Sequence, residues 1–370
     1  MFKKVFTIIC FLVLIHQVNA QDSFLNRVRI TPDYRYGFII PHHSFFTYLI
    51  EDHIRAWDIT CSFQTKGDKY WQQLYRNPEL GIGYYHANLG NPDYLGKADA
   101  FFGYIDVPFV ASPDFKFSYK MGLGLAFMSK PFNVESNIYN TAIASRVNAF
   151  VDLGLSVEHK VVNTFYFTTG LKFTHYSNGA WKVPNLGFNI PSVNAGIKYY
   201  FKKPESIIKK SKVELKSLFK KKFEFWLIYS GGVRENPPPN GKKFYASCLT
   251  MNTEKQFTPR RKFGAGLDVF YDPSIGDRHK EDTTNVYQFY DIRSGIHLSH
   301  DVVFNKISFT MQVGTYFYTH EKHSDEKIYS RFGLRAKLCK HLAATLTLKT
   351  HFFKADIIEW GLGYYFEKEN

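Results

Sequence analysis

The feature that most constrains the fold is a two-residue alternation of large apolar side chains with polar or small ones. Between Lys116 and Met128 nearly every second residue is large and apolar, and the residues between are polar, glycine or alanine. The segment from Ala144 to Val157 repeats this pattern. Because side chains alternate between the two faces of a β-strand, each segment predicts a strand with one apolar face.

Composition helps to decide which environment surrounds these strands. Of the 370 residues 18% are aromatic, with 36 Phe and 25 Tyr, and the formal net charge is +14. No stretch after the N-terminal segment reaches the ~20 apolar residues of a membrane-spanning helix. A β-barrel in an outer membrane explains a mean hydropathy of −0.27 beside so many aromatics, because only one face of each strand contacts lipid. A soluble β-sandwich, whose apolar faces form the core, is the alternative.

Residues 1–20 have the organisation of a secretory signal peptide. Lys3 and Lys4 precede an apolar run from Phe6 to Ile15, and Val18-Asn19-Ala20 provides a small-residue cleavage pattern. The mature chain is therefore expected to begin at Gln21 and to be exported. Its cysteines are odd in number and widely spaced, which predicts neither a disulfide framework nor a metal motif: Cys61, Cys248 and Cys339.

The alternating segments predict an all-β fold, namely a transmembrane antiparallel β-barrel. We identify 14 strands between residues 80 and 366, and the aromatic pattern of the last one, Asp356 to Phe366, is typical of a closing strand. With a periplasmic C-terminus, the longer connections fall outside the cell and the shorter turns inside. The N-terminal segment 21–79 either adds two strands, for a total of 16, or lies partly in the lumen.

The connection at 202–222 falls on the periplasmic side of this barrel and contains nine Lys and two Glu. Its apolar residues form an uneven stripe on a helix. A basic amphipathic segment on phospholipid headgroups is one interpretation, and a solvated tether is the other. No nucleic-acid-binding motif accompanies the positive charge, so no nucleic-acid partner is predicted.

The candidate chemistry lies in the segment from Leu171 to Gly179, which ends a strand that starts near Asn163. The odd-numbered residues of this strand are mostly apolar and are expected to face lipid, and His175 and Ser177 continue their row at the outer end. Polar side chains that face the membrane are costly without a role. A histidine two residues from a serine on one face is suited to take the hydroxyl proton and activate the oxygen as a nucleophile.

The next strand brings a further polar residue to the same place. Asn189 begins it on the apolar face, where the amide is positioned to orient His175. In the intervening loop, Asn178 is a candidate oxyanion donor, helped by the backbone N–H of Gly179 or Ala180. A polar girdle at the headgroup boundary is the structural alternative for these residues.

The run His175-Tyr176-Ser177-Asn178, followed by Pro184-Asn185 and Gly187, resembles the signature of the lipid A 3-O-deacylase family. These outer-membrane esterases are often labelled acyloxyacyl hydrolases. The resemblance is good over residues 171–201, and the adjoining strands from about residue 80 match only in pattern. Family members are smaller barrels of eight strands with a Ser-His-acid site on the outer wall.

The resemblance implies Ser177 as nucleophile, His175 as general base and Asn178 as an oxyanion contributor. The third member of the family's site is a Glu on the following strand, and an ungapped count places Asn189 there. Asn can hold the histidine tautomer, as in Cys-His-Asn proteases, but it cannot stabilise an imidazolium by charge. Either Asn189 serves with less activation, another carboxylate replaces it, or the site is weak.

The implied function is that of a serine esterase in the outer membrane of a Gram-negative bacterium. It would remove an ester-linked acyl chain from the lipid A of lipopolysaccharide in the outer leaflet, with no cofactor and no metal. The alternatives are a porin or transporter with a basic lumen, and an adhesive surface barrel.

Other polar residues are interpreted structurally. Three histidine pairs have no complete ligand set and are read as loop or lumen histidines: His42-His43, His297 with His300, and His320 with His323. Four ionisable residues on inward faces predict ion pairs that pack the lumen: Asp268, Asp272, His351 and Glu359. Three basic residues also face inward and fit a polar, partly basic interior: Arg331, Arg335 and Lys337.

Overall fold

A computed structural model describes residues 25–41, 44–202, 214, 218–278, 290–320, 327–352 and 354–369. Three of the sequence-based predictions fall wholly or mostly outside the described residues: the signal peptide, most of the 202–222 connection, and the pair His42-His43. In the described part of the chain, 16 strands form two closed antiparallel barrels of eight strands each.

The first barrel closes where β1 pairs with β8, with Arg29 opposite Tyr200. Residues 21–79 therefore contribute wall strands to it. The eight strands are β1 Val28–Gly37, β2 Ile54–Gln64, β3 Glu79–Asn88, β4 Lys97–Ala111, β5 Phe115–Met128, β6 Val147–Val162, β7 Phe165–Ser177 and β8 Phe188–Tyr200.

The second barrel closes where β16 pairs with β9, with Trp360 opposite Gly231. Its strands are β9 Lys222–Glu235, β10 Lys243–Thr258, β11 Arg261–Tyr271, β12 Ile292–Phe304, β13 Ile307–Tyr318, β14 Ile328–Lys337, β15 Leu342–His351 and β16 Lys354–Glu369.

The prediction of one barrel of about 14 strands is wrong. Alternation is a local property that identifies a strand and its two faces, whereas ring closure depends on hydrogen bonds between strands far apart in sequence. The pairing of β1 with β8 completes a ring before β9 begins. The connection at 202–222 consequently joins two barrels instead of interrupting one.

Both lumens are crossed by buried ion pairs. In the first barrel Arg35 lies 2.6 Å from carboxylate oxygens of both Asp58 and Asp152. In the second, Arg331 pairs with Asp268 at 2.9 Å and with Glu359 at 2.7 Å, which confirms the ion pairing predicted for these two inward carboxylates. An eight-stranded barrel is just wide enough for side chains to fill its interior, and these pairs occupy that space.

Three short helical segments lie outside the walls. They are a 3-10 turn at Ser44–Leu49, α1 at Tyr70–Leu74 and α2 at Pro273–Arg278. Among the described residues, no helix combines the length and the apolar character needed to cross a membrane. The outer walls themselves are rich in exposed apolar side chains, such as Ile82 and Leu298, each 70% exposed.

The two barrels touch at the end of the walls where α1 lies. Here the Tyr75 hydroxyl donates to the carbonyl oxygen of Val303 at 2.9 Å, and its ring stacks on Phe304 with centroids 4.4 Å apart. Arg260 donates to the carbonyl oxygen of Leu74. Burial raises the pKa of the Tyr75 hydroxyl, which therefore keeps the proton that it donates.

Candidate active site

His175 lies on the outer wall of the first barrel, near the end of β7. Its neighbours Thr174 and Tyr176 are fully buried toward the lumen. Leu171, on the same face as His175, is 61% exposed. Strand alternation thus turns the imidazole outward, on the face expected from the sequence.

Asn189 stands directly opposite His175 in the pairing of β7 with β8. The two side chains meet with 2.7 Å between His175 Nδ1 and Asn189 Oδ1. Because an amide oxygen only accepts hydrogen bonds, Nδ1 carries the proton in this arrangement. The lone pair is then on Nε2, the nitrogen available to act as a base.

Gly187 makes room for the imidazole. Its φ is +77°, a conformation that L side chains rarely adopt. A Cβ at this position would lie 2.7 Å from the carbonyl oxygen of Tyr176 and 3.2 Å from His175 Cε1. The glycine of the sequence signature therefore lets the loop pass close to the ring of His175.

Ser177 ends β7 and is only 5% exposed. Its Oγ accepts hydrogen bonds from the backbone N–H of Gly179 at 3.2 Å and from Asn185 Nδ2 at 3.1 Å. Among the described residues these are the partners that the structure gives Ser177, and neither is His175. Both bonds use the acceptor capacity of the hydroxyl, so its proton is still available to a base.

Asn185 contacts the candidate serine, and the sequence alone did not predict this contact. Its Nδ2 donates to Ser177, and its Oδ1 accepts from the backbone N–H of Asn178 at 3.0 Å. The signal was present, since Asn185 belongs to the run that carries the family resemblance. Its contact with the serine depends on the course of the loop, which alternation does not describe.

Asn178 braces the loop through its side chain. Its Nδ2 donates to Ser145 Oγ and to the carbonyl oxygen of Lys182, both at 2.9 Å. The amide hydrogens expected to bind an oxyanion are thus engaged elsewhere in this state. The N–H of Gly179, the other expected donor, points at Ser177 Oγ.

The loop after Ser177 also meets the second barrel. Gly179 has a φ of +63°, and a Cβ there would overlap the side chain of Ile358 in β16. The carbonyl oxygen of Ala180 accepts from the N–H of Glu235 at 3.0 Å. The Lys243 ammonium lies 4.5 Å from the centre of the Trp181 ring.

No group of three or more His, Cys, Asp or Glu side chains suited to hold a metal occurs among the described residues. His297 contacts Asp268 with 2.7 Å between Nδ1 and Oδ2, and His320 contacts the Tyr318 hydroxyl at 3.1 Å. His323 lies outside the described residues.

Solved structures resemble the chain at low identity. Neisserial surface protein A is 13% identical with a TM-score of 0.33, and the alignment covers 47% of this chain and 96% of that one. For CdiB from Acinetobacter baumannii the identity is 8% and the TM-score 0.19, over 92% of this chain and 60% of that one. A porin mutant of Rh. blastica is 7% identical with a TM-score of 0.18, over 92% and 99%. None of the curated proteins matches the chain.

Two family descriptions match separate parts of the chain. Lipid A 3-O-deacylase (PagL) matches residues 56–198, which include the candidate site of the first barrel. The acyloxyacyl hydrolase C-terminal domain matches residues 223–368, which form the second barrel. Together they cover well over half of the sequence. The chain therefore belongs to the lipid A 3-O-deacylase (PagL) family and carries the acyloxyacyl hydrolase C-terminal domain.

Proposed function

We propose that this protein is a serine esterase that removes an ester-linked fatty acyl chain from lipid A. The observation that carries the proposal is the His175–Asn189 pair on the outer wall, two residues from a serine whose hydroxyl proton is uncommitted. Family membership and the barrel fold point to a bacterial outer membrane. The outer leaflet of that membrane is where lipopolysaccharide would present its acyl esters to the site.

In the proposed reaction, Ser177 Oγ attacks the carbonyl carbon of the acyl ester while His175 Nε2 takes the hydroxyl proton. As the tetrahedral intermediate collapses, the bond to the sugar oxygen breaks, that oxygen takes the proton from the imidazolium, and an acyl-enzyme remains. His175 Nε2 then takes a proton from water, which attacks the acyl carbon. The second intermediate releases the fatty acid as Ser177 Oγ leaves and regains the proton from His175. A rotation of the Ser177 or His175 side chain is needed to bring Oγ and Nε2 together, and hydrogen bonds of this kind often tighten only when substrate binds.

The oxyanion would form beside the donors that now contact Ser177. The N–H of Gly179 and the amide of Asn185 already donate hydrogen bonds to Ser177 Oγ. Substrate binding would redirect both donors to the carbonyl oxygen of the ester. Asn178 would join them as a donor by releasing Ser145 Oγ or the carbonyl oxygen of Lys182. Until then it contributes by holding the loop in place.

Asn189 would take the place of the acidic residue of the family. Its carbonyl oxygen holds the Nδ1–H tautomer, so Nε2 is correctly prepared as a base. Because the amide is neutral, it would stabilise the imidazolium less than a carboxylate does. We therefore expect an active enzyme with a modest turnover rate.

The test is the release of fatty acid from lipid A by purified protein in mixed micelles. Ser177→Ala is expected to lower the rate by about 10³-fold or more, since triad members act as a unit. Ser330→Ala is the matched control, because Ser330 is a wall serine of the second barrel outside the site. Equal rates for wild type and Ser177→Ala would refute the proposed nucleophile.

The structure does not favour the alternative of an anion pore. Ion pairs around Arg35 and Arg331 occupy the two lumens, which leaves little room for conduction. Planar bilayers containing the protein are accordingly expected to show no stable open-channel conductance.

A further inference from the structure

A cavity of about 670 Å³ opens between the loops of the first barrel, next to the proposed active site. It lies at the end of the walls where β7 terminates, and its lining includes Trp181 and Lys182 of the loop 178–187 that follows Ser177, here called the nucleophile loop. The charged side chains of Lys130, Arg146 and Asp93 also line it.

The charge of this cavity is unbalanced. Three cationic side chains line it, Lys130, Arg146 and Lys182, against the single carboxylate of Asp93. Lys130 donates to the backbone carbonyl of Asp93 at 3.0 Å, a bond that neutralises no charge. In the described part of the chain, none of the three cations forms a salt bridge with a carboxylate. The cavity therefore favours an anionic ligand.

The strand register gives the distance from the nucleophile. Ser177 pairs with Ala149 in β6, and Arg146 lies three residues further out on the same chain segment. At about 3.3 Å of rise per residue, the two positions are roughly 10 Å apart along the strand direction. The hydrogen bond from Asn178 to Ser145 links the cavity wall directly to the nucleophile loop.

We propose that this cavity binds a phosphate group on the sugar headgroup of the substrate. The proposal rests on the proposed function and deepens it, because it assigns the side chains that would hold the phosphate of the headgroup. An ester held at Ser177 places the sugar beyond the end of β7, in the direction of the three cations. A phosphate one sugar-width from the ester would then reach Lys130, Arg146 and Lys182, and guanidinium and ammonium groups bind phosphate by charge-assisted hydrogen bonds.

The experiment compares two probes, lipid A with its phosphates and the same lipid A after phosphatase treatment. The triple variant Lys130→Gln, Arg146→Gln, Lys182→Gln is expected to raise KM for the phosphorylated probe about tenfold or more, with kcat unchanged. KM for the dephosphorylated probe should change less than about twofold. Lys242→Gln is the matched control, since this exposed cation belongs to the second barrel and does not line the cavity.

Inorganic phosphate distinguishes a headgroup phosphate from the free ion. If the cavity prefers the free ion, phosphate at millimolar concentration will inhibit the wild type strongly and the triple variant weakly, while both lipid probes give the same KM. That result, or an equal rise in KM for both probes, overturns the headgroup proposal.

A binding measurement separates this proposal from the proposed esterase activity. The Ser177→Ala protein should retain the phosphorylated probe in co-sedimentation, and the additional three cation substitutions should remove most of that retention. If the wild type releases no fatty acid, the esterase fails, but loss of retention in the quadruple variant still supports the phosphate site. Unchanged retention overturns it.

A second inference comes from the contacts of the nucleophile loop with the second barrel. Gly179 packs on Ile358, and Ala180 is hydrogen-bonded to Glu235. We infer that the second barrel positions the loop, and hence the N–H of Gly179 that points at Ser177 Oγ. Ile358 would act through this loop as a positioning residue.

Ile358→Ala should loosen the loop and lower kcat about tenfold while KM stays within about twofold, since small misplacements at a reacting centre are costly. Ile358→Val, which keeps a branched side chain, should restore most of the kcat. Wild-type kcat values for both variants would refute the positioning role. An equal fall in kcat for both variants, with KM changing by the same factor, would also refute it.

Discussion

The two barrels differ most instructively at the ends of their seventh strands, β7 and β15, which each carry a histidine. His175 of the first barrel faces outward and meets Asn189. His351 of the second accepts from or donates to the Tyr316 hydroxyl through Nε2 at 3.1 Å, and its Nδ1 lies 3.7 Å from Asp356. A histidine near the end of the seventh strand thus faces outward in the first barrel and joins the hydrogen-bond network of the lumen in the second.

Strand alternation itself accounts for the difference. In β15 the buried residues are Ala343, Thr345, Thr347 and Lys349, so His351 continues this inward row. In β7 the buried neighbours are Thr174 and Tyr176, so His175 belongs to the outward row. The sequence differs as well. Two residues after the histidine, the first barrel has Ser177 and the second has Phe353.

The largest expected effect tests whether only the outward histidine is catalytic. His175→Asn should lower the rate of fatty acid release from lipid A by about 10³- to 10⁴-fold, as loss of a triad base does. His351→Asn should change it less than about twofold, because that histidine lies in the other barrel. Comparable losses in the two variants would break the distinction between the barrels.

The next effect concerns the lumen of the second barrel. Arg331→Met leaves the buried carboxylates of Asp268 and Glu359 without their cation, at an expected cost of about 3–5 kcal/mol in the free energy of unfolding. Arg331→Lys keeps a charge and should cost less. Thermal unfolding of the detergent-solubilised protein measures both, and an unchanged transition for Arg331→Met would show that the ion-pair network is dispensable.

A smaller effect sharpens the role of Asn189. Asn189→Asp keeps the acceptor opposite His175 Nδ1 and adds a negative charge that stabilises the imidazolium formed in the reaction. We expect kcat for lipid A to rise about tenfold, while Asn189→Leu, which removes the acceptor, should lower it. A fall in kcat for Asn189→Asp would mean that the amide itself is required.

The smallest effect concerns the junction of the barrels at α1. Tyr75→Phe removes the hydrogen bond to the carbonyl oxygen of Val303 but keeps the ring on Phe304. The expected loss is about 0.5–1.5 kcal/mol in the free energy of unfolding. Tyr75→Ala, which also removes the stacking, should cost more. Equal stability of the two variants would argue against a structural role for the ring contact.

Much of the secondary structure and one side of the site could be predicted from the sequence. The alternating run from Lys116 to Met128 is β5, Phe115–Met128, and the outward direction of His175 follows from its place in the row of Leu171. The position of Asn189 opposite His175 follows from antiparallel pairing with a loop of known length. These features are accessible because strand alternation and short-range pairing are local.

The division into two barrels and the inner details of the site were decided by the tertiary structure. Ring closure joins β1 to β8 and β9 to β16, and no periodicity within a strand specifies those partners. The contacts of Asn185 with Ser177, of Asn178 with Lys182, and of Gly179 with Ile358 depend on how loops fold over the barrel ends. The sequence by itself thus determined which residues form strands and which faces they occupy, because that information is local. Which strands close a ring, and which loop atoms reach the serine, depends on contacts between distant segments and emerges only when the chain is folded.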